Sequence, residues 1–482
     1  MKIGNTATLL AFAAAAFFAN DSFAQKKEPV DCINTIIGAS TSTAAAKSGH
    51  GLGKTFPGAA TPFGLVQLSP DTITGGDNGP GYSWHHSTIE GFSFTHMSGI
   101  GWFGDFGNLL VMPTTGELRT CKGLPPAKDL RVNNPENKQI KGWRSKYSHD
   151  TEIAKAGYYA VRLDDYDIFV ELAAAPRAGI IQMEFPESRQ SRIQIDLSRR
   201  IGGSSSEQFV EKVNDNSIQG WMKCPSSNGG WGNGAGRANY TVYFYAQFSK
   251  PLKNCGVWSV KYPPEMLSKR KFDSHQKIEF YELAANAEVR PLEKSAHGEH
   301  IGFFTEFETS EREKVLMKAG ISFVSMENAR QNLLSDIPGW NFEKTRNNAR
   351  KLWADAISKI KVEGGSERDK TIFYTALYHA MIDPRAASDS NGEYTAADGT
   401  VRKAQGFTYR TIFSGWDVFR SEFPLLALIR PDIVNDEINS LIQLAELSPA
   451  NRGVYPRWEF MNSYSGCMLG DPALSVIADA YA

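Results

Sequence analysis

The chain has 482 residues, with 52 Lys+Arg against 53 Asp+Glu, so its formal net charge is −1, and 41% of its residues are hydrophobic. This balance lacks the basic excess that is typical of proteins that bind nucleic acid or an anionic membrane surface. The length favours two domains, and the hydrophobic content is ample for a packed core.

Residues 1–24 have the pattern of a secretory signal peptide. Lys2 precedes an apolar run from Ala7 to Ala19, and Ser22-Phe23-Ala24 supplies small residues two apart before Gln25. The run is shorter than the ~20 apolar residues that a membrane-spanning helix needs, and no later segment is long and apolar enough. We therefore expect an exported protein, periplasmic or secreted, without a membrane span.

Residues 27–325 have the pattern of a β-sandwich domain. Short alternating or apolar runs recur between turns rich in Gly, Asn, Asp and Pro, as at 158–163, 168–172, 192–197 and 240–246. Five scattered cysteines without short spacings argue against a disulfide framework and a zinc site: Cys32, Cys121, Cys224, Cys255 and Cys467. Buried free thiols are the favoured interpretation, and a single Cys224–Cys255 bridge is left open.

The periodicity changes to that of helices near residue 326. Residues 326–365 are predicted to be a helical linker, with helices over 326–334 and 342–360. Residues 366–482 are predicted to be all-helical. Ser366 with Asp369 forms a capping signature, Pro384 ends the first helix, and Pro431 and Pro472 occupy first helical positions. The apolar face of the last helix continues to Ala482, which predicts a truncated chain.

The segment from Gly91 to Asn108 contains five glycines, several aromatic residues, His96 and Asp105. Glycine permits sharp bends and a close approach of the backbone to a ligand. Aromatic faces beside short polar side chains suit a sugar, which has both apolar faces and hydroxyls. The alternative is a glycine-rich turn region whose phenylalanines lie in the core.

Six segments resemble, in the same order, those of one enzyme family. They are 55–71, 91–116, 147–159, Gly415-Trp416-Asp417-Val418-Phe419-Arg420, Pro456-Arg457-Trp458-Glu459 and Gly470-Asp471-Pro472-Ala473. Together they resemble glycoside hydrolase family 92, the calcium-dependent exo-acting α-mannosidases. The resemblance implies an N-terminal β-sandwich, a helical linker and an (α/α)6 toroid, of which residues 366–482 would be the first part.

The same resemblance implies an activity, a cofactor and a substrate. Family members remove terminal α-linked mannose from N-glycans or mannan with inversion, and Ca²⁺ contacts hydroxyls of that mannose. The expected partner is thus an α-mannoside oligosaccharide or a glycoprotein glycan. The family's catalytic acid and base, and most of its calcium ligands, correspond to positions beyond Ala482. The catalytic and metal-binding residues therefore stay unassigned in this chain.

The resemblance assigns sugar recognition to the residues that are present. Asp417 matches a position that binds the mannose in the −1 subsite, and Trp416 lies beside it. Trp102 is expected to stack on a sugar ring. The alternatives are a helix N-cap for Asp417 and core packing for Trp102.

Four further residues are candidate substrate ligands: His96, Asp105, Arg457 and Glu459. His96 and Asp105 have the alternative of shaping their loop through backbone hydrogen bonds. Arg457 and Glu459, two residues apart, have the alternative of an ion pair with each other. A metal site at His85-His86 is disfavoured, because adjacent residues of a strand point to opposite faces.

The leading hypothesis is therefore an α-mannosidase chain that lacks its catalytic carboxylates. The alternative from a different class is a non-catalytic mannose- or glycan-binding protein. A third hypothesis, a glycoside phosphorylase or a polysaccharide lyase, requires a basic pocket for phosphate or uronate, and the sequence shows no such cluster.

Overall fold

The computed structural model describes residues 27–40, 53–72, 79–99, 104–126, 134, 136–232, 236–263, 266, 278–450, 452–464 and 466–482. The predicted signal peptide and Trp102 lie outside the described residues. Within the described part, no helix has the length and apolar character needed to cross a bilayer.

Two large antiparallel sheets dominate residues 59–322, which we call the sandwich. The first sheet has eight strands, in the spatial order Ala59–Ala60, Gln67–Asp71, Gly91–Ser93, Leu110–Thr115, Ser188–Asp196, Gly302–Thr309, Asn254–Ser259 and Glu288–Pro291. The second sheet has nine, in the order Ser295–Gly298, Glu207–Asn214, Ser217–Cys224, Tyr240–Phe248, Glu313–Ser322, Ala178–Phe185, Ile168–Ala174, Tyr158–Leu163 and Ile153–Lys155.

The core of the sandwich lies between these sheets. Val111 and Ile193 of the first sheet and Val170 and Val242 of the second belong to one buried hydrophobic cluster. Alternate side chains of a strand point to opposite faces, so each sheet places one apolar face inward. The predicted β-sandwich is confirmed.

The described residues contain eight helices. The first lies within the sandwich sequence, and the other seven follow the last strand of the sandwich. They are α1 (Ile278–Ala285), α2 (Met326–Asp336), α3 (Phe342–Ile357), α4 (Glu367–His379), α5 (Gly415–Val418), α6 (Glu422–Ile429), α7 (Pro431–Leu447) and α8 (Pro472–Tyr481). Three 3₁₀ turns lie at Pro29–Cys32, His149–Thr151 and Ser226–Asn228. We call residues 326–482 the helical region, and the expected β-then-α order is confirmed.

Helix boundaries follow the predicted capping residues. Ser366 accepts a hydrogen bond from the backbone of Asp369, and the Asp369 carboxylate accepts one from the backbone of Ser366, which completes a capping box. Pro431 and Pro472 are the first residues of α7 and α8. α2 packs against the strands Tyr240–Phe248 and Glu313–Ser322, so the helical region begins on the outer face of the second sheet.

The prediction of an all-helical segment from 366 to 482 is wrong in part. Three strand pairs interrupt it: Arg385–Ala386 with Arg410–Thr411, Glu393–Thr395 with Val401–Lys403, and Glu459–Phe460 with Ser463–Tyr464. The dipeptide Asp398-Gly399, between the second pair of strands, is typical of hairpin turns. Tyr394 stacks on Tyr409 with ring centroids 3.9 Å apart, which buries one face of the hairpin.

Two smaller strand pairs lie in the sandwich, Thr88–Ile89 with Ser145–Lys146 and Arg199–Arg200 with Gly203–Ser204. None of the five cysteines, all of which lie in the described part of the chain, forms a disulfide bond, and four of them are buried. The bridge between Cys224 and Cys255 that the sequence left open is therefore not formed.

Candidate functional site

The glycine-rich segment reaches the boundary between the sandwich and the helical region. The Phe106 ring lies 4.8 Å from Phe460 and 6.0 Å from Phe323, measured between centroids. Trp231 of the sandwich stacks on Trp458 at 6.0 Å and 19°. Aromatic contacts thus join the loop after residue 104 to the hairpin at 459–464, and the candidate residues lie on both sides of this boundary.

Asp105 is fully buried and surrounded by donors. Its Oδ1 accepts from Arg200 Nε at 2.8 Å and its Oδ2 from Arg200 Nη2 at 2.9 Å, and the Trp231 backbone also donates to Oδ2, at 2.7 Å. A Cβ at Gly230 would lie 2.3 Å from both Arg200 Nη2 and Asp105 Oδ2, so this packing needs glycine there. Asp105 therefore ties the loop to the sandwich and faces the protein interior.

His96 is also fully buried, between the first sheet and the helical region. Its Nδ1 lies 2.8 Å from Gln67 O and its Nε2 3.1 Å from Asp71 Oδ1. Arg385 of the helical region donates to the carbonyl oxygen of His96, and its Nε donates to Asp383 Oδ1 at 2.6 Å. His96 thus lies where one buried guanidinium joins the two regions.

Asp417 is the third residue of the short helix α5, half-buried, and Ser414 is the N-cap. The N-cap alternative for Asp417 is therefore wrong. Ser414 Oγ donates to Asp417 Oδ2 at 2.8 Å, and among the residues that the structure describes no group hydrogen-bonds to Oδ1. Trp416 is 36% exposed, with the Arg420 guanidinium 5.7 Å from its ring centroid. An open carboxylate oxygen therefore lies beside an accessible indole.

Arg457 is held next to this helix. The Trp416 backbone N–H donates to Arg457 O at 3.2 Å. Arg457 Nε donates to the Tyr464 hydroxyl at 2.7 Å and Nη2 to Gly466 O at 3.2 Å. Its side chain therefore points away from Glu459, and the ion pair between Arg457 and Glu459 is not formed. The strand begins only at Glu459, so strand alternation does not govern Arg457.

Glu459 is buried and bonded to its own region. Its Oε1 accepts from Thr411 Oγ1 at 2.9 Å and from Asn462 N at 2.8 Å, and its Oε2 accepts from Ile412 N at 2.9 Å. Burial raises the pKa of Glu459 to about 7, against the opposing effect of these hydrogen bonds. Glu437 lies buried nearby, and burial with the charge of Glu459 raises the pKa of Glu437 well above its ordinary value.

The structure thus divides the predicted residues into two groups by exposure. Trp416, Asp417 and Arg457 are partly or fully accessible, whereas His96, Asp105 and Glu459 are buried and bonded to groups of the protein interior. Sequence reasoning missed Trp231, although Gly229-Gly230-Trp231-Gly232 repeats the glycine–aromatic pattern of the 91–108 segment. It also missed the buried guanidinium groups of Arg200 and Arg385, for which the sequence offers no local signal.

The described residues include no group of three or more His, Cys, Asp or Glu side chains placed to hold a metal ion. His86 Nδ1 lies 2.8 Å from the Thr72 hydroxyl, in a buried hydrogen bond. The open oxygen of Asp417 is a single candidate ligand and does not make a site by itself.

Two family models match the chain in succession. The glycosyl hydrolase family 92 N-terminal domain matches residues 32–322, and the family 92 catalytic domain matches residues 328–482. A family 92 α-mannosidase of Bacteroides thetaiotaomicron has a TM-score of 0.78 at 31% identity, over 94% of this chain and 54% of its own. A family 92 inverting mannosidase of the same organism has a TM-score of 0.73 at 22% identity, over 94% of this chain and 52% of its own.

A fungal relative, described as an uncharacterized secreted glycosidase of Arthroderma benhamiae, is 24% identical over 364 residues, which are 70% of this chain and 41% of the relative. The chain therefore spans about half the length of these relatives. Because the two family models together cover nearly all of the described sandwich and helical region, the chain belongs to glycosyl hydrolase family 92.

Proposed function

We propose that this protein is exported and acts on terminal α-linked mannose of N-glycans or mannan, as an inverting, calcium-dependent exo-α-mannosidase. Two relatives support the proposal: a family 92 α-mannosidase at 31% identity, solved also in complex with mannoimidazole, and a relative described as a secreted glycosidase. The observation that carries the proposal is the open carboxylate oxygen of Asp417 beside the exposed ring of Trp416.

Asp417 and Trp416 would supply recognition of the mannose. A carboxylate accepts short, charge-assisted hydrogen bonds from hydroxyl donors, and two vicinal hydroxyls of a sugar match its two oxygens. Ser414 fixes the orientation of the carboxylate by donating to Oδ2, which leaves Oδ1 free for a ligand. The indole of Trp416 offers an apolar face for the C–H face of the sugar ring.

Inversion requires a carboxylic acid and a carboxylate about 6.5–9.5 Å apart, with room for a water between the latter and the sugar. Glu459 and Glu437 are buried, and Glu459 is occupied by donors of its own region. We therefore assign neither residue to acid or base catalysis. We propose that the catalytic acid and base correspond to positions in the part of the longer relatives that this chain does not match.

The described residues do not by themselves fit a calcium site, because they contain no suitable cluster of ligands. Calcium is proposed as the cofactor because the resemblance to family 92 implies it, with ligands expected mainly outside the described residues.

The proposal predicts that the Asp417→Asn variant binds mannoside more weakly. The amide removes the charge that accepts the sugar hydroxyls, so we expect the Kd for methyl α-mannoside to rise about tenfold or more, measured by calorimetry. Asp479→Asn is the matched control, since Asp479 is exposed on α8, a different helix from that of Asp417. Equal Kd values for both variants would reject the role of Asp417.

Hydrolysis is tested separately, as mannose release by the complete gene product from a panel of α-mannobioses with calcium and with a chelator. Release that the chelator abolishes supports the enzyme and gives its linkage preference. Binding without release in either condition favours the non-catalytic glycan-binding alternative. A folded protein that neither binds nor releases mannose would refute both.

A further inference from the structure

The segment before α5 contains a strained backbone. Ile412 has a φ of +74°, in the left-handed region. A β-branched residue is a genuine outlier there, because its Cβ crowds the following carbonyl group. Such a conformation persists only where the surroundings determine it fully, and it is often found at functional sites. Something in this fold must therefore hold Ile412 in place.

Glu459 makes the contacts that hold it. The carboxylate accepts from the backbone N–H of Ile412 at 2.9 Å and, through its other oxygen, from the Thr411 hydroxyl at 2.9 Å. The Asn462 backbone donates to that same oxygen at 2.8 Å, so one side chain fixes both the strand at 410–411 and the turn at 461–462. Met461 and Asn462 also have positive φ values, 47° and 64°. The carboxylate thus lies at the centre of a strained pair of turns.

The strained turn leads directly to the candidate mannoside site. Phe413 and Glu459 exchange two backbone hydrogen bonds, at 3.1 Å and 2.9 Å. Ser414, one residue further, orients the carboxylate of Asp417, and the Trp416 backbone is bonded to Arg457 O at 3.2 Å. A change of φ at Ile412 would therefore rotate the residues that carry Asp417 and Trp416 relative to Arg457.

We propose that Glu459 is a positioning residue of the mannoside site: its carboxylate holds Ile412 in the left-handed conformation and thereby presents Asp417 and Trp416 to the sugar without contacting it. This inference rests on the proposed function for the identity of the ligand. It replaces the sequence expectation that Glu459 binds the substrate itself. Both of its oxygens are already occupied by donors of its own region.

The geometry indicates an isosteric test. In Glu459→Gln one carboxylate oxygen becomes an NH₂ group, which must face a donor, either the N–H of Ile412 or the N–H of Asn462. We expect the Kd for methyl α-mannoside to rise about tenfold, together with faster amide hydrogen exchange at 411–417. Thr411→Val removes a single donor to the carboxylate and serves as a second variant where E459Q does not fold.

A second substitution separates positioning from a direct role. Glycine adopts a positive φ at no steric cost, so Ile412→Gly should make the turn independent of the carboxylate. The E459Q/I412G double variant is expected to recover an affinity within about threefold of that of I412G alone. E459Q/I412V is the matched control, because valine keeps the β-branch and should give no recovery.

The outcomes distinguish this inference from the proposed function. Slower exchange at 411–417 in E459Q/I412G than in E459Q, with recovered affinity, supports positioning. Unchanged exchange in E459Q, or an affinity loss that I412G does not repair, overturns it. Where the wild-type chain does not bind methyl α-mannoside, the proposed function fails, whereas the exchange data still decide whether Glu459 holds the turn.

Discussion

In the sandwich, the buried carboxylate of Glu90 lies among three cations. Its oxygens are 3.1 Å from Lys122 Nζ, 2.7 Å from Arg144 Nη2 and 3.7 Å from Arg199 Nη2. Burial alone would raise the pKa of Glu90, but these cations hold it well below its ordinary value. In the helical region, the buried carboxylate of Glu437 faces Glu459, and the nearby Arg410 is bonded to Asp436 at 2.7 Å.

This difference gives the two regions opposite responses to pH. A carboxyl group whose folded pKa is lowered, as for Glu90, contributes stability above its ordinary pKa and loses it as the pH falls through the folded pKa. A carboxyl group whose folded pKa is raised binds a proton that the unfolded chain has lost. The native state then loses stability as the pH rises from the ordinary value, 4.5, to the folded pKa, about 7 for Glu459.

The largest expected effect comes from breaking a paired charge in the sandwich. Arg200→Met leaves Asp105 fully buried without its cation, which should lower the free energy of unfolding by about 3–5 kcal/mol, measured by urea denaturation. The double variant with Asp105→Asn is expected to recover part of this loss, because the remaining side chain is neutral. A loss below about 1 kcal/mol in R200M would contradict the view that the buried carboxylates of the sandwich depend on their paired cations.

A smaller effect is expected from removing an unpaired charge in the helical region. Glu437→Gln keeps the shape of a protonated carboxyl group, so the stability near pH 5 should hardly change. As the pH rises above 4.5, the unfolded chain loses this proton while the folded carboxyl group keeps it, and above the folded pKa the wild type holds a buried anion whose Oε2 has no hydrogen-bond partner within the described residues. The variant should therefore gain on the order of 1–3 kcal/mol at pH 9, seen in thermal unfolding as a function of pH.

The matched control is Glu446→Gln, on the same helix and closer to its end, where no buried carboxylate is removed. It should leave the pH dependence unchanged. Hydrogen exchange of α7 reports the stability of the helical region as a function of pH. A wild-type stability that rises between pH 5 and pH 9 would contradict the raised pKa of Glu437.

Local chemistry made much of this fold predictable. The short apolar run at 158–163 predicts a strand, which the structure buries at five of its six positions, and Ser366 with Asp369 marks the start of α4. The hairpin at 393–403 was missed, although Asp398-Gly399 carries its turn signal, because helical periodicity on both sides outweighed it. Short-range sequence patterns therefore identified the helices and strands wherever either the helical or the strand periodicity dominated a segment.

The surroundings of the buried candidate residues could not be predicted in this way. Asp105 and Arg200 are 95 residues apart, and Arg385 reaches His96 across 289 residues, so these contacts exist only in the folded chain. Sequence patterns identified His96, Asp105 and Glu459 as polar residues in unusual surroundings. Their donors, which decide whether each residue faces a ligand or the interior, come from distant segments.

The smallest expected effect is at an exposed ion pair of the sandwich. Arg119 Nη2 lies 2.7 Å from Glu117 Oε2, with the side chains 36% and 73% exposed. Water screens both charges and ordering two long side chains is unfavourable, so Arg119→Gln should change the free energy of unfolding by less than about 1 kcal/mol. The same urea series that measures R200M tests this. An equal loss in both variants would mean that the number of ion pairs governs stability, whereas a large loss in R200M alone shows that burial of the charge decides it.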